Sequence, residues 1–327
     1  MTAPASLVVT IDTEPDNQWA PLPAGGGHPP LTFANTRGLS RLIDFMGRLG
    51  VRATWLTSYS VARDPESARL LAVAASAGDE IGGHLHAWET PPMGPGDNTA
   101  RPYIYEYPPQ LRLAKLQALT ETLRAAFGTQ PVSYRAGRWG LDATELRHLA
   151  SLGYRVDTSI VPGHDFSRSR GLSRPGPDFR RYLTSRALQP WQEEGVWEVP
   201  ASATTIGAFG GTAAAAALTR TMWRRGDLLR RGVESLARRA RLCDLIWVRP
   251  LAHPRADLAA AASALVRQGA RVVNVMFHSS EAFAGTSPKS RTPQDVERFY
   301  GDFEAIVAAA RAAGPITPRT LSEAAGL

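Results

Sequence analysis

The sequence of 327 residues contains one cysteine, Cys243, and only two lysines, Lys115 and Lys289. A single cysteine excludes an internal disulfide and argues against a zinc site built on thiolates. No apolar run approaches the roughly 18 uninterrupted residues of a membrane span. The opening stretch, MTAPASLVVTID, has neither a basic leader nor a long apolar segment. We therefore expect no signal peptide and a cytoplasmic location.

The positive charge of the chain is concentrated in one segment. The net charge is +7, and residues 220–249 hold nine arginines against Asp227, Glu234 and Asp244, which gives nine minus three, or +6. We expect an Arg-rich helical insertion at about 213–243. A solvated helix face explains it, and so does contact with anionic lipid or a phosphorylated glycan carrier at the inner membrane. We expect no nucleic-acid partner, because no recognised binding motif accompanies the charge.

Short apolar strands alternate with amphipathic helices, in a chain whose 43% hydrophobic content is typical of a folded domain. The candidate strands cover 6–12, 51–57, 79–86, 132–137, 154–160, 195–201, 244–250 and 271–279. The candidate helices cover 36–48, 65–76, 108–127, 142–152, 213–240, 255–268 and 293–313. Such alternation predicts parallel strands, in an open doubly wound sheet or in a barrel. The acidic stretch TIDTEPDNQW follows the first strand in place of a glycine-rich phosphate loop, which favours the barrel.

Polar residues follow five of the candidate strands, at the ends where a barrel places its chemistry. These ends read IDTE, HLHAWE, YRAGRWG, VDTS and MFHSSE. Because strand side chains alternate between faces, Asp12 and Glu14 point the same way, and so do His84 and His86. Two imidazoles with one or two carboxylates suit Zn²⁺ or a similar divalent ion, and three protein ligands leave a position open for water. The pattern predicts a hydrolytic metal site.

Five segments carry a resemblance to a known family: VVTIDTE, DEIGGHLHAW, YRAGRWG, VDTSI and VMFHSSE. In order and spacing they resemble the five motifs of the polysaccharide deacetylase superfamily, the NodB-homology or carbohydrate esterase family 4 group. The resemblance spans residues 7 to about 281. It implies a distorted (β/α)7-type barrel with parallel strands, and a single catalytic domain over 1–327. The implied activity is metal-dependent removal of an N-acyl group, N-acetyl above all, from an amino sugar or glycoconjugate.

The resemblance also implies roles for individual residues. Asp12 would be the catalytic base that deprotonates the attacking water, and His278 the acid that protonates the leaving amine. Arg135 would orient Asp12 through a charge-assisted pair. Asp157 would lie near His278 and keep it charged, and His84 would be a metal ligand.

Two positions depart from the family pattern. Thr13 stands where the family has a second, adjacent aspartate as metal ligand, and Trp88 stands four residues after His84 in place of a second histidine. The shared strand faces make Glu14 and His86 the replacements. The predicted ligands of the divalent ion, which we expect to be Zn²⁺, are therefore Glu14, His84 and His86.

Three further residues near the motifs are candidate substrate contacts: Trp88, Arg138 and Trp139. Arg138 could instead take the role of Arg135, because the RAGRWG segment does not align uniquely. Without an export signal, the expected partner is an amino-sugar-containing small molecule, a nucleotide-linked sugar or a lipid-linked glycan in the cytosol. Two alternatives stay open. One is an amidohydrolase of the allantoinase-like branch acting on a small non-glycan amide, and the other is a non-catalytic glycan-binding relative.

Overall fold

A computed structural model describes residues 4–18, 30–94, 100–169, 171–212, 215–217 and 242–327. The predicted Arg-rich insertion at about 213–243 lies outside the described residues, except for the helical residues 215–217 and the residues 242–243. Within the described part, no helix combines the length and the apolar character that a membrane crossing requires.

Strands and helices alternate along the described part of the chain. The strands are β1 Ala5–Thr13, β2 Ala53–Ser58, β3 Glu80–Leu85, β4 Ser133–Ala136, β5 Val156–Asp157, β6 Trp191–Glu193, β7 Val196–Glu198, β8 Ala203–Ile206, β9 Asp244–Trp247, β10 Val272–His278 and β11 Ile316–Arg319. The α-helices are α1 Ala34–Arg37, α2 Ser40–Arg48, α3 Tyr59–Arg63, α4 Pro65–Ser76, α5 Pro109–Phe127, α6 Ala143–Ser151, α7 Arg255–Arg267, α8 Pro293–Ala313 and α9 Leu321–Ala325. Most of the predicted elements are therefore present, with ends displaced by a few residues.

The main sheet runs in the order β10-β1-β2-β3-β4-β5-β7-β6. Every neighbouring pair from β10 to β7 is parallel, and β6 adds to the edge as an antiparallel strand. β11 is parallel to the beginning of β1, below the point where β2 joins. The curled, mostly parallel sheet with its helices confirms the predicted α/β barrel-like fold class.

One predicted barrel strand has a different position. The candidate at 244–250 contains β9, which pairs antiparallel with β8 in a separate two-stranded sheet. The expectation of parallel pairing was wrong at this strand. Its apolar sequence DLIWV is compatible with either arrangement, because periodicity reports burial and does not report the partner strand.

Strand β1 is buried along almost its whole length, as expected for a parallel strand covered on both faces. On the outer face of the sheet, Phe277 packs edge-on against Phe299 of α8, with ring centroids 4.9 Å apart. The interior contains a buried polar network. Asn274 accepts a hydrogen bond from Thr10 Oγ1 at 2.9 Å and donates to Thr158 Oγ1 at 3.0 Å. This network lies beneath the strand ends and ties β1, β10 and the chain after β5 together.

Candidate metal and catalytic site

The polar ends of β1, β3, β4 and β10 meet at one edge of the sheet, because the carboxyl ends of parallel strands lie side by side. Asp12 and His278 are direct register partners, as are His84 and Arg135. The four ends border a cavity of about 170 Å³. The predicted site residues that line it are Asp12, Glu14, His84, His86, Trp88, Arg138, Trp139 and His278.

Glu14, His84 and His86 form a buried cluster of metal-ligand type. Glu14 Oε2 lies 2.9 Å from His86 Nε2 and 3.5 Å from His84 Nε2. All three side chains are at most 4% exposed. In a tetrahedral zinc site with bonds near 2.1 Å, neighbouring ligand atoms are about 3.4 Å apart, which is close to these separations.

Two further observations fit a cation at this cluster. Glu14 Oε1 is buried and has no hydrogen-bond partner among the described residues. His84 Nδ1 lies 3.0 Å from the carbonyl oxygen of Arg135, so Nδ1 donates and Nε2 keeps its lone pair toward the cluster. A fixed tautomer of this kind is characteristic of metal-ligating histidines. The donor set of two imidazoles and a carboxylate therefore fits Zn²⁺.

The charges within the cluster are strongly coupled. Burial raises the pKa of Glu14, but the neighbouring His278 and His86 outweigh burial and bring the net pKa well below the usual range. Burial lowers the pKa of His86, whereas Glu14 raises it, and the outcome is a pKa of about 9. A carboxylate that stays ionised between imidazoles provides the negative charge that a divalent cation needs.

A second layer of contacts holds His86. Its Nδ1 lies 3.5 Å from Glu89 Oε1, and Glu89 Oε2 accepts a hydrogen bond of 2.8 Å from Ser60. The ring of Trp88 stacks on the imidazole of His86, with centroids 4.2 Å apart. A Cβ atom at Gly137 would lie 2.8 Å from His86 Cδ2 and 2.4 Å from the carbonyl oxygen of Leu85, so only glycine fits there. The ring of His86 is therefore fixed by packing as well as by charge.

Asp12 is paired with Arg135 and not with Arg138. Arg135 Nη1 donates to Asp12 Oδ1 at 2.5 Å, and its Nη2 donates to Thr10 Oγ1 at 2.7 Å. Both members of the pair are nearly inaccessible to solvent. Burial raises the pKa of Asp12, but Arg135 and then His84 and His278 bring it below the usual value. Asp12 is thus a carboxylate in a fixed position.

His278 lies opposite both carboxylates of the site. Its Nε2 is 3.7 Å from Asp12 Oδ2 and 3.7 Å from Glu14 Oε1. On the other side of the ring, Arg249 Nη2 lies 2.8 Å from Nδ1. Since a guanidinium can only donate, Nδ1 is the acceptor and Nε2 is the nitrogen that presents a proton to the cavity.

Asp157 does not occupy the position expected beside His278. It is the register partner of Tyr134 on the opposite side of the sheet from Arg135, and its carboxylate accepts hydrogen bonds from the backbone N–H and the hydroxyl of Ser159 at 2.8 and 2.7 Å. Burial raises its pKa. On the Nδ1 side of His278, the nearby carboxylate is Glu281, whose Oε2 lies 3.9 Å from Nδ1. The alternation of faces along β5 explains the difference.

The cavity also has lining residues that were not predicted, among them Gln18, Arg249 and Lys289. Arg249 donates to Glu281 Oε1 at 2.9 Å in addition to its contact with His278. Its sequence signal resembles that of the predicted residues, because it directly follows the apolar stretch DLIWV. The surrounding Arg-rich segment concealed that signal.

Aromatic rings form the remaining wall of the cavity. Trp139 stacks on Phe166 with centroids 6.2 Å apart, and it meets Trp247 edge-on at 5.5 Å. Arg135 lies over the same indole ring, with its guanidinium carbon 5.0 Å from the centroid. The cavity therefore combines a charged end with a flat apolar side.

The curled, mostly parallel sheet with a cavity at its strand ends is a fold of the NodB-like type. The fold is shared with a Mycobacterium smegmatis protein provisionally assigned as a polysaccharide deacetylase, at 14% identity and a TM-score of 0.51 over 100% of this chain and 94% of the other. The resemblance deduced from the five motifs is confirmed at the level of the fold.

Two other solved structures are similar to the chain over nearly its whole length. The peptidoglycan deacetylase PdaC from Bacillus subtilis shows 12% identity, with a TM-score of 0.40 over 99% of this chain and 91% of PdaC. A CE4 family pseudoenzyme from Bacillus anthracis, BA3943, shows 10% identity, with a TM-score of 0.44 over 99% of this chain and 66% of its own. No family model and no curated protein matches the sequence.

Proposed function

We propose that the protein is a metal-dependent hydrolase that removes an N-acyl group, N-acetyl above all, from an amino sugar or glycoconjugate. The observation that carries the proposal is the buried Glu14–His84–His86 cluster in the same cavity as the Asp12–Arg135 pair. The fold shared with the Mycobacterium smegmatis protein supports it.

Glu14, His84 and His86 would hold the ion, which we propose to be Zn²⁺. When bound, such an ion supplies Lewis acidity for the amide carbonyl and acidifies water. Asp12 has the properties of the base that accepts the proton of the attacking water, because Arg135 keeps it ionised and fixed.

His278 would return the proton. Its Nε2 faces the cavity, and Arg249 holds the opposite ring nitrogen. As the leaving amine takes the proton of Nε2, the same nitrogen accepts the proton that Asp12 took from the water, from Oδ2 at 3.7 Å, so the imidazole stays neutral. The amide C–N bond breaks and water contributes its oxygen to the released acid. The second proton of the water leaves with that acid, which then ionises and protonates the free amine.

The sugar class of the substrate is supported by the aromatic wall. A flat ring such as Trp139 offers an apolar surface for the face of a sugar, while the charged end of the cavity receives the amide. The nucleotide- or lipid-linked form of the sugar, the cytoplasmic location and the membrane contact through the Arg-rich segment stay predictions. The assignment of 1–327 to one catalytic domain also stays a prediction.

Metal analysis combined with an assay on N-acetylated amino sugars tests the proposal. The purified chain should contain about one divalent ion. Asp12→Asn should keep the ion and lower kcat by about 10²–10⁴-fold, the usual contribution of a general base. His84→Ala should lose the ion. Asp44→Asn, which makes the same chemical change on the exposed face of α2, should behave like the wild type.

The same experiment separates the alternatives. A chain without stoichiometric metal, whose hydrolysis is unaffected by Asp12→Asn, contradicts the proposal and leaves the non-catalytic glycan-binding relative. Hydrolysis of small cyclic amides or formamides, without hydrolysis of any amino sugar, contradicts the sugar class and favours the allantoinase-like alternative.

A further inference from the structure

Three positive side chains line the cavity in addition to the Asp12–Arg135 pair. Arg138, Arg249 and Lys289 come from three separate parts of the chain: the end of β4, the residues after β9 and the loop before α8. None of them belongs to the predicted metal ligands or to the Asp12–Arg135 pair. We call these three residues the cation group.

Among the described residues, most carboxylates of the cavity have partners outside the cation group. Asp12 is matched by Arg135, and Glu14 belongs to the histidine cluster. The remaining carboxylate, Glu281, faces both Arg249 at 2.9 Å and Lys289 at 3.6 Å. Within the described part of the chain, Arg249 and Lys289 thus share the carboxylate of Glu281.

Arg138 differs from Arg249 and Lys289 in this respect. Among the described residues, no carboxylate oxygen lies within 4.0 Å of its guanidinium nitrogens, although the side chain is only partly exposed. Its Nε atom is buried and has no hydrogen-bond partner in the described part of the chain. An unmet donor of a charged group is costly when no ligand is bound.

Arg249 shows the same feature at a more deeply buried position. The residue is 5% exposed, and its Nη2 atom already serves His278 and Glu281. Its Nε atom is buried and has no partner among the described residues. Two guanidinium N–H groups of residues lining one cavity thus lack acceptors in the described part of the chain, which indicates a ligand that supplies oxygen atoms.

The backbone supports this reading at Arg138. Arg138 and Trp139 have φ values of 55° and 64°, in the left-handed region that residues with a Cβ atom rarely adopt. Two consecutive residues of this kind face the same cavity. Strain of this sort is retained where it positions side chains for a ligand.

We propose that the substrate carries an oxyanion in addition to its amide, and that the cation group binds it. The inference rests on the proposed function, because it concerns a substrate of the same cavity. Guanidinium groups present N–H donors in a planar fork that matches the oxygens of a carboxylate or a phosphate. Neutral hydroxyl groups could accept from the Nε–H groups of Arg138 and Arg249, but they would bring no negative charge to the guanidinium groups.

Binding of matched probes to the metal-free full chain tests the inference without turnover. The neutral probe is N-acetylglucosamine. The anionic probes are its 1-phosphate, its 6-phosphate and N-acetylmuramic acid, so that phosphate and carboxylate are compared. By calorimetry, at least one anionic probe should bind about tenfold more tightly than the neutral one, since charge-assisted hydrogen bonds are worth that factor or more.

Substitutions then assign the anion to the cation group. Arg138→Gln and Lys289→Gln should each bring the ratio of anionic to neutral affinity toward one, whereas Arg138→Lys should keep most of it. Arg147→Gln removes one charge from an exposed position on α6 and should leave the ratio as in the wild type. Thermal melts identify any variant that fails to fold. In that case, the ratio of anionic to neutral affinity in the wild type still tests the anion site.

The outcomes separate this inference from the proposed function. Equal affinities in the wild type, or a ratio that Arg138→Gln and Lys289→Gln leave unchanged, overturn the anion site even if the probes are hydrolysed. Competition by acetate as strong as that by inorganic phosphate, without any preference among the sugars, also overturns it and assigns the cations to the released carboxylate. A clear ratio without hydrolysis of any probe after metal loading supports the anion site and rejects the hydrolase.

Discussion

Glu145 of α6 is a carboxyl group that burial forces toward its neutral form. It is fully buried, and neither oxygen has a well-formed hydrogen bond among the described residues. Burial first, with the nearby carboxylates Asp142 and Asp157, raises its pKa to about 8, although Arg112 lowers it. The folded protein therefore holds a proton that the unfolded chain releases near pH 4.5.

This proton makes stability depend on pH. Because the folded pKa is the higher one, the contribution of Glu145 is fully present below about pH 4.5 and is lost as the pH rises through about 8. We expect the free energy of unfolding to fall by about 2–4 kcal/mol between pH 5.5 and pH 8.5. Glu145→Gln should flatten much of this slope in urea titrations, and the exposed Glu193→Gln should not. An unchanged slope in Glu145→Gln would contradict the assignment.

The residues of the candidate site show what alternation along strands can predict. Asp12, Glu14, His84, His86 and His278 share one cavity, as strand ends of a parallel sheet should. The metal and catalytic roles themselves stay predictions.

Other site residues depend on information that local patterns lack. Asp157 turned out to face away from the cavity, because its face is set by the register of β5 with β4. Arg249 and Lys289 reach the cavity from after β9 and from the loop following β10, and only the tertiary fold brings them together.

At the scale of elements, Asp64 joins two helices. It is the N-cap of α4, where it accepts from the Ser67 backbone N–H at 3.0 Å, and it pairs with Arg37 of α1 at 2.5 Å. The hydrogen bond from Arg37 is the main reason that the pKa of Asp64 falls to about 2, against the opposing effect of burial. The Arg37 side chain is 49% exposed, so solvent weakens the ion pair. The N-cap hydrogen bond therefore makes the larger contribution of Asp64 to stability.

Asp64→Ala should destabilise the protein by about 1–2 kcal/mol at pH 7, the usual value of an N-cap. Since the folded pKa is the lower one, this stability is present above about pH 4 and is lost as the pH falls through about 2. Urea unfolding at pH 7 and at pH 3 measures both effects. Asp64→Asn keeps a capping oxygen and should lose less of the free energy of unfolding than Asp64→Ala. Asp44→Ala is the control for a surface substitution on α2. Equal losses in Asp64→Asn and Asp64→Ala would show that the ion pair dominates.

The elements themselves were predictable where the chain is long and strongly patterned. β1, β10, α4 and α5 lie within a residue or two of their predicted ranges. Within the candidate range 154–160, the observed strand covers only Val156–Asp157. There, the Asp157 side chain accepts a hydrogen bond from the backbone N–H of Ser159. Such local hydrogen bonds compete with the backbone hydrogen bonds between neighbouring strands.

β11 was missed for a different reason. Its sequence ITPR is short and contains proline, which local propensity assigns to loops. The strand exists because β1 offers an unpaired edge next to it. Pairing between two such distant segments cannot be predicted from the sequence of either segment alone.

At the scale of the whole molecule, metal binding should be visible as stability. An ion that binds the folded chain and not the unfolded one adds about 2.7 kcal/mol at a hundred times its Kd. We expect Zn²⁺ to raise the Tm of the metal-free protein by a few degrees, because one kcal/mol moves a large domain by roughly 2–4 °C. Scanning fluorimetry measures the shift.

Matched variants locate this effect. Glu14→Gln and His86→Ala should abolish the rise, and Asp12→Asn should preserve it. Mg²⁺ should have little effect, since two imidazoles suit softer ions. A rise that persists in Glu14→Gln places the ion elsewhere.

The pairing of β1 also governs how the chain assembles. Ser6 has Val272 as its partner in β10, and Ala5 has Ile316 in β11. The first strand therefore pairs with segments that are synthesised much later than itself. Contacts of such long sequence separation slow folding and leave strand edges exposed on the nascent chain. The three candidate ligands are likewise synthesised well before the strand that carries His278. We therefore expect a chaperone that shields the apolar edge of β1 during this interval to raise the yield of folded protein.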